Sequence, residues 1–135
     1  MVIFEKTISS SREASRMLIQ EAMGFFALLK KKGYARNVSD FSMRLVLDEA
    51  LENALRHGNK YDHSKAIYFR MKGYKNKIHV TVQDQGGGFS PDRVADPRHG
   101  HNRFAPNGRG LLLLTNIGVV SWNDAGNCVC IELSK

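Results

Sequence analysis

Between Ile67 and Val82 the side chains alternate. Ile67, Phe69 and Met71 are apolar where Tyr68 and Arg70 are not; after Gly73-Tyr74-Lys75-Asn76-Lys77 the pattern resumes, with Ile78, Val80 and Val82 set against His79, Thr81 and Gln83. A period of two puts each apolar set on one face of a strand, and the intervening glycine and asparagine predict a hairpin. A ribbon of this kind has one face that it cannot cover alone, so the chain must provide a second layer.

The flanking segments provide it as helices. Val2 to Ile8 alternates as a further strand, and Ser10-x-x-Glu13 is a capping-box pattern that predicts a helix start. Ala14, Met17, Leu18, Ala22, Phe25, Leu28 and Leu29 then recur at three- and four-residue spacing, and Lys30-Lys31-Lys32-Gly33 closes the helix with cations and a glycine. Ser39 or Asp40 caps a second helix, expected to end at His57-Gly58-Asn59. From Ser90 to Asn107 the chain holds all three prolines and no periodicity, which predicts a long loop of the kind that serves as a lid. Leu111 to Ile117 reads as a central helix, and Val119 to Trp122 with Cys128 to Leu133 reads as a last hairpin around Asp124-Ala125-Gly126-Asn127. The predicted fold is an α+β two-layer sandwich, a mixed, mainly antiparallel sheet covered on one face by helices, in a single domain over residues 1–135.

At 135 residues the chain can bury a sizeable core without disulfides or metals. No apolar run reaches membrane-spanning length and the first residues lack the order of a signal peptide, so no membrane association and a cytoplasmic location are expected. Cys128 and Cys130 share one face of a strand and read as small strand residues rather than a disulfide or zinc pair. The net charge of +7 suits anionic partners such as ATP or acidic proteins. Because the basic residues are scattered, with no basic helix face bearing stacking aromatics, direct nucleic-acid binding is not expected.

Chemistry concentrates in three places. On the second helix Glu49, Asn53 and His57 are spaced by four, about 6 Å apart along the axis and about 40° apart around it, so they form a slowly turning stripe beside the apolar arc of Met43, Val46, Leu47, Ala50, Leu51 and Ala54. Asp48, Glu52 and Arg56 point to a wetter side, where Glu52 and Arg56 form a four-apart pair. Taken alone, Glu49 is an ordinary solvated helix acid. Further along, Asp84-x-Gly86-x-Gly88 follows a strand, so its aspartate is fixed at a strand end where it can accept from an exocyclic amine, beside glycines that let backbone approach a ligand. Finally, Gly108-Arg109-Gly110-Leu111 opens a helix, whose free N–H groups favour phosphate.

The ordered set, Glu49-Ala50-x-x-Asn53-Ala54-x-x-His57-Gly58, then Asp84 to Phe89-Ser90-Pro91, then Asp96-Pro97 and Gly108 to Leu113, resembles the histidine-kinase-like ATPase superfamily with its Bergerat nucleotide-binding fold. Within it the chain is similar to the small serine/threonine kinases that act as anti-sigma factors. That resemblance spans Val2 to Leu133 and implies ATP and Mg2+ as cofactors. It implies Glu49 as general base, Asn53 as magnesium ligand, and Asp84 as the reader of adenine, with Gly86, Gly88, Gly108, Gly110 and Leu111 around the nucleotide. His57 either contacts phosphate or ends the helix as a packed residue, and Arg109 either adds charge at the phosphates or faces solvent. The implied partners are a sigma factor, an anti-sigma-factor antagonist as phosphorylation substrate, and a second copy in a homodimer. The alternative function is a nucleotide-sensing, protein-binding regulator with little or no kinase activity. His99, His101 and Arg103 of the lid match no family signature.

Overall fold

The ribbon read between Ile67 and Val82 lies at the heart of a five-stranded sheet in the computed structural model, which describes residues 1–86, 118–123 and 126–134. Five strands and two helices follow in chain order: β1 (Val2–Ser9), α1 (Arg12–Lys31), α2 (Asp40–Asn53), β2 (Ala66–Gly73), β3 (Ile78–Gln83), β4 (Val119–Trp122) and β5 (Cys128–Leu133). The sheet order is β1-β2-β3-β5-β4, and each of these pairings is antiparallel. The expected two-layer α+β fold is therefore observed, with no parallel pairing among the described residues. Both hairpins are also present, β2 with β3 and β4 with β5, but β5 rather than β4 lies beside β3.

Register explains which face is covered. Phe4 stands opposite Met71, Met71 opposite Val80 and Val80 opposite Ile131, so one row of side chains crosses four strands on a single face. Leu18, Ala22, Phe26 and Leu29 of α1 and Met43, Val46, Leu47 and Leu51 of α2 join that face in one core, each 0–1 % exposed. Burying a large apolar side chain of this kind contributes about 1.5–3 kcal/mol. At the rim of the same face the exposed Lys6, opposite Phe69, meets Glu21 of α1 at 2.7 Å. The opposite face is polar and only partly buried: Arg70, Thr81 and Cys130 lie on it in register. Cys128 and Cys130 are free thiols there, and burial, followed by the neighbouring Cys130, pushes the Cys128 thiol up from its ordinary value. A thiol shifted in that direction is a poor nucleophile at neutral pH, which agrees with reading the pair as strand residues.

The start of α1 departs from expectation by one residue. Ser11, not Ser10, is the cap, its Oγ accepting from Ala14 N at 3.1 Å. Ser10 lies just past β1 instead: it is fully buried and its backbone N–H donates to Lys65 O, just before β2, at 3.1 Å. At α2, of the two expected caps, Ser39 and Asp40, it is Ser39 that caps, its Oγ accepting from Ser42 N at 3.0 Å, while Asp40 is the first helical residue. Among the described residues no helix is long and apolar enough to cross a membrane. The expected lid over residues 90–107, Gly88, Gly108, Arg109, Gly110, Leu111 and the helix from Leu111 to Ile117 lie outside the described residues.

Candidate functional site

The core-facing positions of α2 recur at three and four, and Glu49 borders them half-buried while Asn53 is only 8 % exposed. The Oδ1 atom of Asn53 is buried and has no hydrogen-bond partner among the described residues. A buried acceptor left unpaired costs about 1–3 kcal/mol, so such an atom calls for a ligand that supplies what the protein does not.

Immediately after Asn53 the helix widens. Residues Ala54–Gly58 form one turn of π-helix, in which Asn59 N donates to Ala54 O at 2.8 Å across five residues. Wide turns of this type recur at functional sites. His57, half-buried, lies within this widened turn. The chain then leaves through Lys60 and Tyr61, two successive non-glycine residues with φ of 52° and 57°. Each costs about 1–2 kcal/mol relative to right-handed backbone, and the conformation is held by Tyr61 N donating to Leu55 O at 2.8 Å.

Against this turn packs the loop after β3. Asp84, 8 % exposed, donates its N–H to Asn127 O at 2.9 Å and accepts from Gly86 N on Oδ1 at 2.8 Å, an Asx-type turn that fixes the carboxylate. Gly58 and Gly86 make the approach possible. A Cβ on Gly58 would lie 2.2 Å from Asp84 Cγ, and one on Gly86 would lie 2.0 Å from Gly58 O. Neither glycine has positive φ, so both are required by contact and not by backbone conformation. The structure thus brings Asp84 and Gly86 from one motif against Gly58 at the end of the other. Sequence reasoning missed Gly58 as a site residue, since a glycine after a helix ordinarily reads as a cap.

Glu49 also lines a charged groove of about 410 Å³ between α1 and α2, together with Arg12, Arg16, Arg44, Asp48 and Glu52. Asp48 is paired with Arg44 at 3.2 Å. Glu52, expected as a solvated neighbour, is half-buried and held from the far side of the turn: Tyr61 OH donates to its Oε1 at 3.1 Å, Arg12 lies 3.5 Å from the same oxygen, and Arg12 Nη2 donates to Tyr61 OH at 2.7 Å. Glu49 has neither ion pair nor hydrogen bond among the described residues. Burial first, then the charges of Asp48 and Glu52, raises its carboxyl above the ordinary value of 4.5. An unpaired carboxylate with raised proton affinity is suited to accept a proton.

The site is short of ligands for a self-sufficient metal centre, for among the described residues no three His, Cys, Asp or Glu side chains cluster. A magnesium ion here would take one oxygen from Asn53 and the remainder from phosphate and water, as that ion commonly does.

Comparison with known proteins adds an independent line. The family model of the histidine kinase-like ATPase domain matches residues 12–133. The chain is 31 % identical over 81 residues to a protein of Staphylococcus epidermidis named an uncharacterized sensor-like histidine kinase, covering 58 % of this chain and 16 % of that protein. It is 26 % identical over 76 residues to the serine/threonine-protein kinase BtrW of Bordetella bronchiseptica, covering 55 % of this chain and 54 % of that one. The matched segments thus span a small part of the first relative and about half of the second.

Proposed function

This chain belongs to the histidine kinase-like ATPase family, and on that premise we propose that it is an ATP-dependent serine/threonine protein kinase. Its substrate in this reading is an anti-sigma-factor antagonist, and it holds a sigma factor in a partner-switching system, working as a homodimer. The named kinase activity of the Bordetella relative supports the acceptor class. The observation that carries the chemistry is the buried Oδ1 of Asn53, which has no hydrogen-bond partner among the described residues, one helical turn beyond Glu49.

Each residue has a stated task. Asn53 offers its carbonyl oxygen to magnesium, whose chemistry when bound is to neutralise phosphate charge. Asp84 accepts a hydrogen bond from the 6-amino group of adenine, and Gly86 keeps the loop close enough for the base to reach it. Glu49 accepts the proton of the acceptor's seryl or threonyl hydroxyl as that oxygen bonds to the γ-phosphorus. The bond from the γ-phosphorus to the β–γ bridging oxygen breaks, and ADP leaves carrying the electron pair. The raised proton affinity of Glu49 brings it closer to the operating pH, where a general base is most effective.

The decisive experiment incubates the protein with labelled ATP, Mg2+ and a candidate antagonist. Wild type should label serine or threonine of the antagonist. Asn53→Ala should lose Mg2+-dependent ATP binding, Glu49→Gln should retain binding and lose transfer by at least about a hundredfold, and Glu52→Gln should retain both. Equal transfer by wild type and Glu49→Gln would sink the kinase reading in favour of a nucleotide-sensing binding protein.

A further inference from the structure

The loop that carries Asp84 is tied to the end of α2 through one buried amide. Asn59, 1 % exposed, donates from Nδ2 to Ala66 O at 2.9 Å, and its Oδ1 accepts from Gln85 N at 2.7 Å. Gln85 closes the circuit, its Oε1 accepting from Ala66 N at 2.6 Å. Three bonds therefore link the residue after the π-turn, the first residue of β2 and the residue after Asp84. The Asn59 N–H, bonded to Ala54 O, anchors the same residue to the turn that begins beside Asn53.

A leucine could fill the volume of Asn59, but it would leave Ala66 O and Gln85 N without their partner. Only a side chain with one donor and one acceptor at its tip serves both. The N–H that Asn59 receives belongs to the peptide unit joining Asp84 to Gln85, so it fixes the backbone from which the Asp84 carboxylate projects. The bond from Gly86 N to Asp84 Oδ1 lies within the same segment and moves with it.

We propose that Asn59 is a positioning residue for nucleobase discrimination, holding the Asp84 carboxylate in register with the Asn53 amide so that base and metal-bound phosphates are engaged together. This rests on the roles given above to Asp84 and Asn53. Hydrogen bonds weaken steeply with distance and angle, so a displaced Asp84 no longer separates a base bearing a 6-amino group from one bearing an oxo group.

The test titrates the full chain, in Mg2+, with ATP and with inosine triphosphate, and reads the ratio of the two affinities. Wild type should prefer ATP, and Asp84→Ala should remove the preference. Asn59→Ala should lower the ratio by about tenfold, the worth of one hydrogen bond, and should lower it no further in an Asp84→Ala background. Gln85→Ala removes an exposed side chain, keeps the core intact and should shift the ratio the same way by less. If Asn59→Ala and Gln85→Ala weaken both nucleotides alike and leave the ratio unchanged, the positioning role is overturned. It is overturned equally if Asn59→Ala has its full effect on the ratio in the absence of the Asp84 carboxylate. A wild type with no preference, or an Asp84→Ala variant that keeps it, removes the assigned role of Asp84 and this inference with it.

Discussion

The centre of the sheet and the turn beyond Asn53 are both buried, yet they are built on opposite plans. In the sheet Ile67, Phe69, Met71, Ile78, Val80 and Val82 are at most 2 % exposed, and the ladders pair the backbone. Around the turn Ala54 and Leu55 are buried too, but beside them lie three buried polar side chains, Asn53, Asn59 and Asp84; one has an oxygen with no partner among the described residues, and two residues of the turn's exit are left-handed. The sheet spends its burial on stability. The turn holds polar atoms in place at a cost that the sheet must offset, as the site proposed there requires.

Substitutions in the two regions should therefore separate stability from binding. The largest stability effect belongs to Phe69→Ala, which empties the centre of the core and should lower the unfolding free energy by about 3–5 kcal/mol in denaturant titrations. Its folded fraction should bind ATP as wild type does. A loss of affinity in protein shown to be folded would mean that the two regions are coupled.

Two glycines sharpen the comparison at intermediate size. A Cβ on Gly73 would meet Leu29 Cδ1 at 2.6 Å, the mobile end of a core side chain, whereas one on Gly58 would strike the Asp84 carboxyl group. Overpacking of this kind costs about 1–3 kcal/mol. Gly73→Ala and Gly58→Ala should lose comparable stability, but only Gly58→Ala should lose ATP affinity. Calorimetric titration of both decides it, and equal affinities would break the distinction drawn here.

The same contrast governs what could be read from sequence. The hairpin was legible because alternation and a turn are local, and the helices because their apolar residues recur at three and four. The place of β5 between β3 and β4 was not, since strand order is set by tertiary pairing. Ser10 carries the right cap chemistry but is captured by Lys65 O, across a contact that no local pattern announces. Nothing in Ala54-Leu55-Arg56-His57 signals an extra residue in the turn. Glu52 read as solvated because Tyr61, its partner, returns to it only through two left-handed residues. Asp84 was legible as a site residue through its glycines, but the role of Gly58 became visible only when the loop was seen to pack on it. Spacing put Asn53 and Glu49 on one stripe and the resemblance, through the glycine motifs downstream, singled them out; what no spacing could tell is that, among the described residues, Asn53 Oδ1 is buried without a partner and Glu49 borders acids that are already paired.

The smallest expected effect is also the one whose sign carries most information. Glu49 holds its proton more tightly in the folded chain than in the unfolded one, since burial and its acidic neighbours raise its pKa above 4.5. Its contribution to stability is thus fully present below the unfolded value and is lost as pH rises through the raised folded value. At neutral pH the ionised carboxylate is a small burden on the fold. Glu49→Gln should consequently melt slightly higher than wild type at pH 7, with the advantage fading below about pH 4, where the wild-type carboxyl is protonated folded or unfolded. Transfer by wild type should fall on the acid side with a midpoint above 4.5. Thermal melts of the two proteins at both pH values test the first point, and a pH profile of transfer tests the second. A Gln variant less stable at neutral pH would show that Glu49 is a partnered structural acid, and it would move this residue from the plan of the turn to the plan of the sheet.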